Sequence, residues 1–252
     1  MRVLILGGTT EATKLCELIA PSNTSATLSL AGRTANPAPQ SVPVRIGGFG
    51  GAEGLAAYLT QQKINVLIDA SHPFAERISA NAIAAAKLAE ISLITLTRAP
   101  WTPVEGDHWI EADDLSAAAL ALGDEPRRVF LTSGRLGLAA FEAAPQHDYL
   151  IRTIDPPEAL GLPRARIILD RGPFSESAER MLMSEEKIEI LVTKNSGGAA
   201  TYGKIAAARA LGLPVVMIRP PPRQDGLTLH DPQEVIRFIE AHPARSGVDR
   251  GV

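Results

Sequence analysis

Val3-Leu4-Ile5-Leu6-Gly7-Gly8-Thr9-Thr10-Glu11-Ala12 decides how the rest of the chain is read. Four apolar residues in a row suit a short strand buried on both faces. Two glycines then turn the chain sharply into a helix over residues 11–19. A helix start leaves N–H groups without partners and carries about half a positive charge, so a phosphate placed there gains hydrogen bonds and a favourable dipole interaction. The hydroxyls of Thr9 and Thr10 add further donors. The stretch therefore reads as a nucleotide pyrophosphate site formed by Gly7, Gly8, Thr9, Thr10 and Glu11. It departs from the G-x-G-x-x-G pattern, because Thr9 stands at the second glycine and Ala12 at the third. A plain strand-to-helix turn capped by Thr10 is the competing reading. Glu11 sets up a tension, since a carboxylate beside a pyrophosphate is repelled unless it points at a hydroxyl or a backbone donor.

The chain has 252 residues, enough for one large α/β domain or two small ones. With 45% hydrophobic residues, 21% charged residues and a net charge of −3, it has no overall basic field to favour nucleic acid or an anionic membrane. No apolar run approaches the ~18 residues of a membrane span, and no leader peptide is visible, so the cytoplasm is the expected compartment. Cys16 is the single cysteine and reads as a small buried hydrophobe. No ligand cluster calls for a resident metal. With no sustained apolar surface stripe, a monomer is expected.

Strand and helix patterns alternate from the opening turn onward. A strand at 26–31 ends at Gly32-Arg33, where a dinucleotide fold meets the adenosine ribose. An arginine there pairs with a 2′-phosphate in forked geometry, which favours NADP over NAD. A strand at 44–46 leads into Gly47-Gly48-Phe49-Gly50-Gly51, where close approach of the backbone around Gly48 to a ligand is expected. Another apolar strand, 65–70, delivers Ser71-His72-Pro73-Phe74 to the start of an alanine-rich helix, at the end of the sheet where open α/β folds bind ligands. A fifth strand ends at Arg98, and Arg98-Ala99-Pro100-Trp101-Thr102-Pro103 reads as a linker.

The alternation then restarts. A strand at 128–132 feeds Ser133-Gly134-Arg135 and a helix over 136–143, repeating the logic of the opening turn. A buried strand at 188–193 delivers Lys194-Asn195-Ser196-Gly197-Gly198 to a helix over 200–211 that carries Tyr202 and Lys204, a good place for an anionic group. Residues 214–218 read as the last strand, 232–241 as the last helix and 242–252 as a tail. Arg135, Arg152, Arg171, Lys194 and Arg219 at strand ends suggest a positively lined cleft for a polyanionic small molecule.

Three of these stretches together carry a resemblance. Ile5-Leu6-Gly7-Gly8-Thr9-Thr10-Glu11-Ala12, Asp69-Ala70-Ser71-His72-Pro73-Phe74-Ala75, and Lys194-Asn195-Ser196-Gly197-Gly198 with Tyr202-Gly203-Lys204 resemble the precorrin-6A and cobalt-precorrin-6A reductases of the cobalamin pathway. The resemblance implies NADPH-dependent reduction of one double bond of the precorrin-6A macrocycle, giving precorrin-6B. The implied substrate is a tetrapyrrole-derived ring bearing acetate and propionate carboxylates, which suits a cationic second half.

The expected architecture is therefore two Rossmann-like three-layer α/β subdomains with mostly parallel sheets and a ligand cleft between them. Residues 1–98 would bind NADPH through Gly7 to Glu11, Arg33, Gly48 and Ser71 to Phe74. Residues 99–252 would bind the tetrapyrrole through Ser133, Gly134, Arg135, Lys194 to Gly198, Tyr202 and Lys204. His72, Tyr202 and Lys204 are the candidate proton donors, with none singled out by its spacing. Two other classes compete: a non-catalytic NADP-sensing protein, and an enzyme acting on a phosphorylated small molecule.

Overall fold

The computed structural model describes residues 1–32, 39–222 and 226–242. Arg33 and residues 243–252 of the expected tail lie outside the described residues. The chain begins β1 (Arg2–Leu6), α1 (Thr10–Ile19), β2 (Ser25–Leu30), β3 (Val44–Ile46), α2 (Ala52–Gln61), β4 (Val66–Asp69), α3 (Glu76–Leu88) and β5 (Ser92–Leu96). It continues with β6 (Trp109–Ala112), α4 (Leu115–Leu120), β7 (Arg128–Leu131), a 3₁₀ helix at Arg135–Ala143, β8 (Asp148–Thr153) and β9 (Ala165–Leu169). Then follow α5 (Glu176–Glu185), β10 (Ile190–Lys194), α6 (Gly203–Ala210), β11 (Val215–Ile218), β12 (Leu227–Leu229) and α7 (Pro232–Ala241).

These elements build two six-stranded sheets with flanking helices, in the orders β12-β5-β4-β1-β2-β3 and β6-β11-β10-β7-β8-β9. Among the described residues all the strand pairings are parallel, as the alternation of strand and helix patterns implied. The four-residue opening run is a central strand for a simple reason. Val3 and Ile5 face the core under α1 and α7, Leu4 and Leu6 face the core under α2 and α3, and all four are fully buried. Cys16 packs in the first of these cores. Burial, with Glu17 adding to it, pushes its thiol up to about 11, so it stays protonated and unreactive at neutral pH.

Two expectations are corrected. One unit is Ala99–Pro221, and the other joins Met1–Arg98 to the segment that begins at Pro222, so the second half does not run to residue 252. Residues 214–218 are also not the last strand. β12 adds to the edge of β5, with Leu227 opposite Ile94 and Leu229 opposite Leu96, while α7 packs on α1 and buries Val235 and Ile239. The edge of β5 gives this three-residue strand its place, a long-range pairing that no local pattern announces. The segment after β7 is a 3₁₀ helix, in which Leu138 and Phe141, three residues apart, share the buried face. Among the described residues no helix is long and apolar enough to cross a membrane.

Each sheet contains a topological switch point. The chain leaves β1 toward β2 through α1 on one face of the first sheet and leaves β4 toward β5 through α3 on the other face. Because β1 and β4 are neighbours, their carboxyl ends flank a crevice of the kind in which open α/β sheets bind ligands. In the second sheet β7 and β10 stand in the same relation, with β8 and β9 to one side and β11 and β6 to the other.

Candidate active site

At the first switch point, Gly7-Gly8-Thr9 leads from β1 into α1. Gly8 has φ of 120°, and a Cβ there would meet nothing within 4 Å, so the turn needs glycine and leaves its outer face clear. Thr9 caps α1: its Oγ1 accepts the Ala12 N–H at 3.2 Å and donates to the Ala70 carbonyl at 2.7 Å. One hydroxyl thus ties the glycine turn to the end of β4. The cap is Thr9 rather than Thr10, and its proton is engaged, so Thr9 shapes the site while the exposed Thr10 stands at the open helix start.

The neighbouring turn is held just as firmly. Asp69 ends β4 and is buried, and its carboxylate accepts from the Ser71 N–H at 3.0 Å, the Ser71 hydroxyl at 2.6 Å and the Ser79 hydroxyl at 2.5 Å. The Phe74 N–H donates to His72 Nδ1 at 3.2 Å, which fixes a neutral ring with its proton on Nε2. Glu11 resolves the tension noted in the sequence by meeting Arg98, with Nε and Oε2 3.5 Å apart. Beyond β3, Arg45 donates to the carbonyls of Gly47 and Gly48 at 2.5 and 2.7 Å and stacks 3.8 Å from the Phe49 ring. The position fits a dinucleotide: a helix N-terminus, an open glycine turn and a rigid second turn converge on one strand-end crevice.

At the second switch point, Ser133-Gly134-Arg135 follows β7 and Lys194-Asn195-Ser196-Gly197-Gly198 follows β10. Ser133 is buried and its Oγ makes no hydrogen bond among the described residues. Arg135 makes no ion pair among the described residues. The Asn195 side chain accepts the Trp101 N–H at 2.7 Å and donates to the Trp101 carbonyl at 2.8 Å, and the Trp101 indole N–H donates to Gly198 at 2.9 Å. Asn195 therefore fixes this loop against the linker residue.

Tyr202 and Lys204 flank the same indole. Lys204 is buried, donates to the Thr201 carbonyl at 3.0 Å and lies 5.2 Å from the Trp101 ring centroid. The Tyr202 hydroxyl accepts from Arg209 at 2.6 Å, and Arg209 is paired with Asp107 at 2.8 Å. Between them, Gly203 is demanded by close packing, since a Cβ there would come within 2.4 Å of the Phe174 carbonyl. Two of the expected ligand-facing cations are engaged elsewhere. Arg152 forms a buried bidentate pair with Glu179, and Arg219 pairs with Glu111 and Asp113.

A family model described as precorrin-6x reductase CbiJ/CobK matches residues 2–240. The chain belongs to that family. It is an oxidoreductase of the cobalamin pathway. Among curated relatives, the precorrin-6A reductase of a Sinorhizobium species is 52% identical over 219 residues, covering 86% of this chain and 84% of that protein. The precorrin-6A reductase of Rhodobacter capsulatus is 49% identical over 221 residues, covering 87% of this chain and 88% of that protein. A solved structure described as CobK precorrin-6A reductase has 45% identity and a TM-score of 0.92, with full coverage of both chains.

For this member of the family, the residues singled out in the sequence fall into two groups. Gly7 to Glu11 and Ser71 to Phe74 meet at the β1–β4 crevice, and Ser133 to Arg135 and Lys194 to Gly198 sit at the β7–β10 crevice. Gly48 stands apart from the first group, two strands away beyond β3. The sequence reading did not single out Asp69, which holds the Ser71 turn, or Arg98, which pairs with Glu11. The Asp69-x-Ser71 spacing of an Asx turn was a usable signal for the first; nothing local marks Arg98 as the partner of Glu11.

Proposed function

We propose that this chain reduces one macrocycle double bond of precorrin-6A to give precorrin-6B, with NADPH bound at the β1–β4 crevice. The observation that carries this reading is the Thr9 clamp, which holds the glycine turn and the α1 N-terminus beside the rigid Ser71–Phe74 turn. NADPH bound there would supply the hydride. The α1 N-terminus would take the pyrophosphate, and Arg33 would take the 2′-phosphate. His72 is neutral with its proton on Nε2, which suits it to orienting a hydrogen-bond acceptor near the nicotinamide better than to acting as an acid.

In the second unit, Ser133, Arg135 and Lys194 would hold carboxylates of the ring, with Gly134, Ser196, Gly197 and Gly198 offering backbone at the strand ends. Asn195, Tyr202 and Lys204 would act by keeping that loop and Trp101 in place. Clamping a large flat ring supplies most of the rate, since hydride transfer requires the reacting carbons within about 3–3.5 Å. The same reading takes the protein as a cytoplasmic monomer.

Cofactor fluorescence, followed during titration with NADPH and with NADH, tests the nucleotide half of the proposal. NADPH should bind the more tightly, and Arg33→Ala should remove that preference while leaving NADH nearly unchanged. Equal binding of the two by the unaltered protein would sink the assignment of NADPH. Substrate-dependent loss of NADPH absorbance with precorrin-6A then tests the reaction itself.

A further inference from the structure

Glu11 is the odd member of the pyrophosphate site. Its carboxylate sits in the first turn of α1, where the helix dipole favours it but where its charge would repel a bound diphosphate. Arg98, the last residue of the first segment before the chain crosses to the other unit, lies with its Nε 3.5 Å from Glu11 Oε2. Both side chains are largely buried, at 13% and 19% exposure, so the pair is weakly screened. The Arg98 Nε–H is buried and makes no hydrogen bond, although a guanidinium presents five donors.

Resting on the nucleotide reading above, we propose that Arg98 is a diphosphate-binding residue, its guanidinium shared between Glu11 and the pyrophosphate of the dinucleotide. Glu11 then orients the arginine and fixes its position before the nucleotide arrives. Arg98 cancels the repulsion that Glu11 would exert. The contact is common to NADPH and NADH, so it sets affinity for both and leaves the choice between them to the 2′-phosphate partner.

Fluorescence titration with NADPH and with NADH, on the full-length protein, tests this. Arg98→Met should weaken both nucleotides by the same factor, about tenfold or more, as expected for loss of a charge-assisted contact. Glu11→Gln alone should tighten both. Adding Glu11→Gln to Arg98→Met should recover at least half of the loss on a logarithmic scale, whereas an arginine that merely anchors the linker would show no such rescue. Arg98→Lys keeps the charge, should fall between wild type and Arg98→Met, and together with Glu11→Gln decides the matter if Arg98→Met does not fold. Unchanged binding by Arg98→Met, a loss confined to NADPH, or no rescue by Glu11→Gln would each overturn the role of Arg98 while the nucleotide site stands. A wild-type protein that binds neither nucleotide would bring down the site and this role together.

Discussion

Arg152 and Glu179 show how far a residue's meaning depends on its partner. In sequence Arg152 is a cation at a strand end, open to a ligand. Folded, it is buried, donates to both Glu179 oxygens at 2.5 and 2.7 Å and stacks 3.6 Å from the Phe174 ring. Breaking a buried pair by removing one partner leaves the other charge unpaired at a cost of roughly 3–5 kcal/mol. Glu179→Ala should therefore lower stability by about that amount in urea denaturation. Replacing both by Met and Leu should restore most of it. A Glu179→Ala protein as stable as wild type would show that the pair is not buried as described. Asp69 teaches the converse. Its short-range spacing to Ser71 is written in the sequence, and its three bonds to Ser71 and Ser79 follow from that spacing once α3 begins at Glu76.

Four helices stop in the same way before the strand that follows each of them. α2, α3, α5 and α6 are followed by Lys63, Glu90, Lys187 and Gly212 with φ between 52° and 65°. The next residues, Ile64, Ile91, Ile188 and Leu213, donate their N–H groups back to Leu59, Ala86, Met183 and Ala208. This is the Schellman closure, in which a left-handed residue satisfies late carbonyls and turns an apolar residue back onto the helix. Glycine occupies the strained position once, and lysine or glutamate fills it in the other three. Changing Lys63, Glu90 or Lys187 to glycine should therefore stabilise the protein, by about 0.5–1 kcal/mol each. Thermal unfolding of the three single variants checks this, and a fall in Tm for all of them would count against the left-handed geometry. The helices themselves were legible because their apolar spacing is local. Their charged stop residues were not, since glycine is the usual sign of a left-handed stop.

Over the whole molecule, the chain leaves the first sheet after β5, builds the second unit and returns with β12 and α7 to complete the first. The two sheets share one strand order, with the outer edge beside β5 filled by the last strand and the edge beside β11 filled by β6. Residues 99–221 should accordingly fold cooperatively when expressed alone, whereas residues 1–98 should not, because α7 supplies Val235 and Ile239 to the core over α1. Circular dichroism and urea titration of the two fragments give the test. A cooperative transition for residues 1–98 would show the returning segment to be dispensable. The strand, glycine-bearing turn and helix at β1 and at β10, the linker after Arg98 and the Ser-His-Pro-Phe turn could be read directly, because each is written in residues adjacent along the chain. The sheet that claims Leu227-Thr228-Leu229, the pairing of Glu11 with Arg98 and the loss of Arg152 to Glu179 were settled only by folding. Their partners lie tens to more than a hundred residues away, and burial and charge choose among such partners only once the sheets have formed.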